Sequence, residues 1–380
     1  MVVINGANCA YPNNCINFKS NTIKSQNSGY LENSVFNNTV HQGDTFVSSN
    51  KESESNKKVL WGIGAAAAVG IGALACVLSK GKVKTSSIER VAKSVEFSPA
   101  KTVEEAKQFA NDKLGLYVKG DIPLDVMNYT NEGLSVLKSK TPKNFNINWI
   151  EAAPIEGGYA SDALAQLVYL DNGLYGIRFN SGFIKNIDKY TSEFINNELK
   201  RGALTNVNGE IQYIDFFKKT NINEEITDLI NRFQINPSKL SFKEKMKLNM
   251  GMWDISDTMD VLYTKYNGDI SKLNNNVEII SSPFHPIFHE SGHALHRINV
   301  KEKFELSDTI DILKQKNLDT SITQEFINKD SEIAQKVSDC AKESPGEFVA
   351  EVYAKLLEGA KFDDEVMALY KKYGGPSVVG

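Results

Sequence analysis

Four of the five histidines in this chain lie within twelve consecutive positions. They are His285, His289, His293 and His296, and the fifth is His41. Residues four apart on an α-helix lie one turn apart on the same face, so a helix here would present a stripe of imidazoles. Neutral imidazole is a common ligand for metals such as zinc. The clustering therefore predicts a metal-binding helix.

The stretch from His289 to His293 reads His-Glu-Ser-Gly-His and fits the pattern H-E-x-x-H. Two imidazoles one turn apart can both reach one zinc ion at about 2.0–2.1 Å. Zinc lowers the pKa of a bound water to about 7, and Glu290 could accept the proton of that water. The hydroxide could then attack a carbonyl group that the zinc polarises. The pattern predicts His289 and His293 as zinc ligands and Glu290 as general base.

Tetrahedral zinc needs a third protein ligand. A histidine six residues after His293 is excluded because Asn299 holds that position. The other common solution is a glutamate from a later helix. Glu347 and Glu351 are four apart on such a predicted helix, so one could bind the metal while the other orients a ligand histidine. Ser344 and Glu347 also fit a capping box, which would make Glu351 the ligand, and the spacing leaves both assignments open.

Apolar periodicity predicts the elements that position these residues. Helices are predicted at 98–116, 123–140, 240–266, 281–299 and 344–360, and a helix end at 371–376. A half-buried strand is predicted at 145–153, and a hairpin around Asp171-Asn172-Gly173 at 164–181. The expected fold class is α+β and predominantly helical, with a small mixed sheet and the two motif helices crossing at the zinc.

The N-terminal part of the chain has a different composition. Residues 1–58 are rich in Asn and Ser and are expected to be a disordered tail. Residues 59–79 carry no charge and are flanked by lysines, which predicts one transmembrane helix. Its small residues could let it associate weakly with a copy of itself. A buried Ala/Gly-rich helix is the alternative. Residues 80–97 would be a linker, and 98–377 the metal-binding domain. The lysine flanks do not decide the orientation in the membrane.

Composition excludes several other classes of protein. The formal net charge is −4, which gives no sign of nucleic-acid binding. The four cysteines are scattered, so neither a disulfide framework nor a cysteine zinc site is indicated. The first residues lack the basic and apolar regions of a cleavable signal peptide.

The segment HESGHALH with a later EFVAE resembles the zinc peptidases related to anthrax lethal factor, a group that includes the Pro-Pro endopeptidases. The two short motifs are the specific part of this resemblance. It implies a zincin-like (gluzincin) fold in which Glu347 binds Zn²⁺ and Glu351 contacts a ligand histidine. It also implies that the hairpin at 164–181 supplies an edge strand that pairs with an extended peptide substrate.

The chain departs from the family at one position. The family usually carries a tyrosine seven residues before the ligand glutamate, where its hydroxyl can stabilise an oxyanion, and this chain has Cys340 there. Cys340 could be an inert core residue, a poor oxyanion donor or a fourth zinc ligand that silences the site. Tyr263 or Tyr266 could approach from another helix, whereas Tyr353 is predicted to point to another face.

These observations predict a single-pass, membrane-anchored zinc metalloendopeptidase that acts on a protein or peptide substrate. A catalytically silent binding module on the same fold is the main alternative, and Cys340 motivates it. A zinc hydrolase with another substrate is a further alternative, because fold alone does not fix the substrate. His285 and His296 are given no ligand role: His285 is expected beside a ligand or in the substrate cleft, and His296 beside a carboxylate.

Overall fold

The structure, a computed structural model, describes nine parts of the 380-residue chain. These are residues 40–42, 95–141, 145–155, 164–170, 174–213, 224–269, 271, 282–303 and 324–378. The predicted tail apart from 40–42, the predicted membrane helix, and all of the predicted linker except 95–97 lie outside the described residues. The metal-binding motifs lie inside them.

A five-stranded mixed sheet lies at the centre of the described residues. Its strands are β1 (Val40–Gln42), β2 (Tyr117–Lys119), β3 (Trp149–Ala153), β4 (Ala165–Leu170) and β5 (Tyr175–Asn180). The order across the sheet is β1-β4-β5-β3-β2. β4 pairs antiparallel with β1 and β5, whereas β3 pairs parallel with β5 and β2. The predicted hairpin is confirmed by the β4–β5 pairing, and residues 171–173 between the two strands are not described.

Helices make up most of the remaining described structure. Their bounds are α1 (Val103–Phe109, continued by a π-helical turn at Ala110–Leu114), α2 (Leu124–Lys140), α3 (Ser181–Arg201), α4 (Glu224–Ile235), α5 (Phe242–Tyr266), α6 (His285–Lys303), α7 (Ser331–Ala334), α8 (Pro345–Leu357) and α9 (Asp364–Lys372). A second hairpin joins β6 (Leu204–Val207) to β7 (Glu210–Tyr213). Short 3-10 turns lie at Pro237–Lys239 and Cys340–Lys342.

The helices begin and end at local sequence signals. Ser241 forms a complete capping box with Glu244 at the start of α5. Thr102 caps α1, so this helix begins later than the predicted residue 98. Gly374, at a φ of 81°, follows the last turn of α9, as the predicted helix end at 371–376 requires. These signals set the lengths of the helices independently of the packing.

Two buried apolar clusters hold these elements together. The first contains residues of α1, α2, the five-stranded sheet, α6, α8 and α9. The second contains residues of α3, the β6–β7 hairpin, α4 and α5. The two motif helices, α6 and α8, belong to the first cluster, where α6 packs against both α8 and β4. Strand β4 of the sheet thus supports the histidine-bearing helix.

One part of the predicted fold class is corrected by the structure. None of the helices in the described ranges is long and apolar enough to cross a membrane. Residues 59–79, on which the prediction of a single-pass membrane protein depended, lie outside those ranges. The prediction rests on the composition of this run alone, and no helix of the described residues supports it. The predicted α+β class, mostly helical with a small mixed sheet, agrees with the described elements.

Candidate metal centre

Helix α6 presents the histidines of the motif on the face that packs against α8. Pro283 precedes the helix and Pro286 lies in its first turn, where a backbone N–H has no partner within the helix. The Ser282 hydroxyl accepts a hydrogen bond from the amide of Phe284 at 3.1 Å, which orders the entry to the helix. The predicted histidine helix is therefore confirmed, with both prolines at positions that tolerate them.

Close contact between α6 and α8 depends on Gly292, the glycine inside the H-E-x-x-H motif. A Cβ atom at this position would lie 2.9 Å from the Cα of Ala350 and 3.2 Å from its carbonyl oxygen. Both atoms belong to the backbone, which cannot move aside as a side chain can. A residue without a side chain at 292 therefore lets the two helices approach closely enough to bring their polar side chains together.

Three predicted ligands converge at the interface of the two helices. The Nε2 atoms of His289 and His293 lie 3.0 Å apart. Glu347 Oε2 lies 3.3 Å from the first and 3.6 Å from the second. All three ligand atoms lie within 4.8 Å of one another. Two imidazoles and a carboxylate in this arrangement form a donor set suited to zinc.

The convergence also shows where the Glu347 side chain goes. The Ser344 hydroxyl accepts a hydrogen bond from the Glu347 amide at 3.1 Å and so caps α8. The Glu347 carboxylate turns to the histidines. A serine cap and a glutamate at the metal centre are therefore compatible, although the sequence pattern suggested a choice between them.

Glu351 lies on the far side of His289. Its Oε1 atom is 2.8 Å from His289 Nδ1 and 3.2 Å from His285 Nε2. The other nitrogen of His285 is 3.0 Å from Glu358 Oε1. A carboxylate on Nδ1 directs the lone pair of Nε2 towards a metal, so this contact fits Glu351 as the residue that orients His289. His285, His289 and Glu351 form a second group within 4.8 Å, but it uses the other nitrogen of His289.

The charges of the centre are strongly coupled. Burial raises the pKa of Glu347, but the neighbouring His293 and His289 lower it to about 2. Burial lowers the pKa of His289, but hydrogen bonds to Glu347 and Glu351 raise it to about 9. His285, between Glu358 and Glu351, has a pKa raised to about 10 by these carboxylates against the effect of burial. The buried carboxylates are therefore balanced by positive charge on the imidazoles. A metal ion would displace these protons, because it binds neutral imidazole.

Glu290, the predicted general base, is 2% exposed and borders the sheet. Burial raises the pKa of its carboxyl group, and the neighbouring His293 and His289 and a backbone hydrogen bond from Leu167 of β4 act in the opposite direction. Its Oε1 atom is a buried oxygen that has no hydrogen-bond partner among the described residues. An acceptor of this kind is available to a proton donor that enters the site.

Cys340 contacts the metal centre from the outside. It is 3% exposed, and its Sγ donates to Glu347 Oε2 at 3.6 Å. The two groups of converging ligand atoms among the described residues do not include this thiol. The geometry therefore favours a weak hydrogen bond to the Glu347 carboxylate over direct coordination.

Among the described residues, Cys340 holds the sequence position that the resemblance to zinc peptidases assigns to a tyrosine oxyanion donor. The other tyrosines considered above lie as follows. Tyr263 is half exposed, and its hydroxyl donates to the carbonyl of Arg201 at 3.3 Å. Tyr266 packs against the second apolar cluster. Tyr353 is completely buried.

A polar pocket adjoins Cys340 and Glu351. Its walls include Trp253, Asp254, Asp257, His285 and Lys355. Asp254 pairs with Lys355 at 3.4 Å. Burial raises the pKa of Asp257 to about 8. The pocket thus places a carboxyl group that is readily protonated close to the metal centre.

The residues that sequence reasoning missed are Glu358 and the backbone of Leu167. Glu358 lies seven residues after Glu351, a spacing that keeps it on the same side of α8, so the pattern Glu347-Glu351-Glu358 facing the histidines could have indicated it. Leu167 contributes a main-chain group, which leaves no signal in a sequence. The Nε2 atom of His296 contacts the Tyr373 carbonyl oxygen at 2.8 Å, and its expected pairing with a carboxylate stays a prediction.

Comparisons with known proteins found no matching family model, no similar curated protein and no similar solved structure. The resemblance to the zinc peptidases therefore depends on the two short motifs and on the geometry described above.

Proposed function

We propose that this protein is a zinc-dependent metalloendopeptidase, which hydrolyses peptide bonds in a protein or peptide substrate. The observation that carries the proposal is the convergence of His289, His293 and Glu347 within 4.8 Å, beside the buried carboxyl group of Glu290. A chance cluster of polar side chains on two packed helices does not explain why two histidines of one motif and a glutamate of the other converge on one point.

The three converging residues would hold the zinc ion, and Glu351 would fix the orientation of His289 through Nδ1. The side chain of His289 is fully buried, whereas those of His293 and Glu347 are 18% and 12% exposed. The exposed side of the centre is therefore the side from which a substrate would arrive. When bound, zinc would supply Lewis-acid chemistry, which acidifies a water molecule and polarises a carbonyl group.

Glu290 would move the proton during hydrolysis. As a carboxylate it would accept a proton from water, and as a carboxylic acid it would give this proton to the leaving amine. The C–N bond breaks, and the water is divided between the new carboxylate and the new amine. Burial raises the pKa of Glu290, which suits a group that must both accept and donate a proton.

Zinc binding is the first test. The full-length protein should hold close to one zinc ion per chain by elemental analysis, and His289→Gln or His293→Gln should release it. His296→Gln provides a matched control, because this histidine is on the same helix but contacts the Tyr373 carbonyl instead of the cluster. A wild-type protein that holds no zinc, or an equal loss in all three variants, would overturn the proposal.

A catalytically silent zinc-binding module is the second candidate, and Cys340 favours it. The thiol sits at the position that a tyrosine hydroxyl holds in the related peptidases, and a thiol is a weak donor. The two candidates differ in one comparison. Peptide cleavage by the wild-type protein supports the peptidase, whereas zinc binding without cleavage, followed by cleavage in Cys340→Tyr, supports the silent module.

A further inference from the structure

The outer edge of β4 is occupied by a strand from the N-terminal part of the same chain. β4 pairs with β5 on one side and with β1 on the other. The antiparallel register places Val40 opposite Leu170, His41 opposite Tyr169 and Gln42 opposite Val168. The strand that was expected to be a free edge is therefore covered.

This edge leads directly to the proposed catalytic group. Gln42 lies opposite Val168, and the next residue of β4 is Leu167. The backbone of Leu167 hydrogen-bonds to Glu290. The β1 segment thus ends its described pairing one residue away from the part of β4 that contacts the general base.

An edge strand has one row of free N–H and C=O groups, and one added strand satisfies it. Peptides that bind by strand addition use these same groups for affinity. The β1 segment and an extended substrate therefore compete for the same edge of β4 beside Glu290. Only one of them can pair at Val168, Tyr169 and Leu170.

We infer that Val40–Gln42 is an internal competitor for the peptide-binding edge of the enzyme. The edge takes an extended main chain that runs antiparallel to β4, and the chain's own β1 fills it in the resting protein. The consequence of this inference for catalysis rests on the proposed function: β1 would have to be displaced before a peptide is cleaved. The occupied edge itself is independent of the chemistry.

The size of the effect follows from the short length of β1. Three residues form a weak strand, but a tethered segment competes at an effective concentration of about the millimolar range. If β1 covers the edge for about nine-tenths of the time, the apparent affinity of an added peptide falls by about 10-fold. Removal of the β1 pairing should raise the apparent affinity of the added peptide by this factor.

A competition experiment on the full chain tests the inference. His41→Pro removes a backbone N–H at the centre of β1, whereas His41→Thr changes the side chain and keeps the N–H, so the pair separates backbone pairing from side-chain effects. The probe is a fluorescently labelled peptide of residues 38–44, Asn-Thr-Val-His-Gln-Gly-Asp, measured by anisotropy. All proteins carry Glu290→Gln, so that the probe is not hydrolysed.

The expected result is that the probe binds His41→Pro about 3- to 10-fold more tightly than the reference protein, and that His41→Thr equals the reference. Equal affinity in all three proteins, or no binding to His41→Pro, would overturn the inference. Because the readout needs no cleavage, a protein that fails to hydrolyse peptides but shows this competition would contradict the proposed function alone.

Discussion

Gly292→Ala tests the geometry on which the metal centre depends. The added Cβ would lie 2.9 Å from the Cα of Ala350, whereas apolar carbons rest at about 3.5–4.0 Å. The two helices would have to separate by about 0.6–1.1 Å to remove the overlap. Because α6 carries His289 and His293 while α8 carries Glu347, this separation moves one ligand relative to the other two. Metal–ligand distances tolerate only about 0.2 Å.

The expected loss is therefore visible in two measurements. Overpacking at a buried contact costs about 1–3 kcal/mol, which urea unfolding of the metal-free protein should show as a lower midpoint. Competition with a chelator should show zinc affinity reduced by roughly 10-fold or more, the effect of about 1.4 kcal/mol at the ligands.

Gly346→Ala is the matched control for this variant. Gly346 lies in the first turn of α8, and a Cβ there would meet its nearest neighbour, Ser344 Oγ, at an ordinary 3.6 Å. Stability should be unchanged or slightly higher, since alanine is the better helix former. Wild-type zinc affinity in Gly292→Ala, or equal damage in Gly346→Ala, would refute the argument that close helix packing builds the site.

Three further variants test the surroundings of the centre. Glu351→Gln should weaken zinc binding by roughly 10- to 100-fold in chelator competition, because His289 loses the carboxylate that orients it; unchanged affinity would contradict this role. Cys340→Ser should retain near-equimolar zinc, since the thiol lies outside the converging ligand atoms, and loss of the metal would instead identify Cys340 as a ligand. Asp257→Asn should stabilise the metal-free protein by about 1 kcal/mol or more at pH 8 but not at pH 4, as measured by thermal unfolding. Burial raises the pKa of Asp257 to about 8, so ionisation of this carboxyl group makes the wild-type fold less stable as the pH rises from about 4 to about 8. An identical difference at both pH values would show that Asp257 does not titrate in this way.

The local parts of the metal centre could be predicted from the sequence. The histidines of α6 are four apart, so the geometry of a single helix fixes their common face, and the structure brings their Nε2 atoms together. Glu347 could be predicted as one of two candidates for the third zinc ligand. The capping pattern at Ser344 concerns the backbone amide of Glu347, and it says nothing about the direction of the carboxylate.

The non-local parts could not be predicted. The pairing of β1 with β4 joins segments more than a hundred residues apart, and a three-residue strand leaves no periodic signal. The link from His285 to Glu358 depends on how α6 and α8 pack, which a pattern on either helix alone does not specify. The membrane helix was inferred from the apolar composition of 59–79, and the described helices give it no support.

Peptide cleavage by the zinc-loaded full-length protein tests the central claim most directly. A diverse peptide library is incubated with the wild type, with Glu290→Gln, and with Glu104→Gln as a matched exposed control, and the products are identified by mass spectrometry. The account predicts cleavage by the wild type and Glu104→Gln, and a loss of at least about 100-fold in Glu290→Gln, as expected when a general base is removed. Equal cleavage by all three proteins, or none by a wild type that holds zinc, would contradict it.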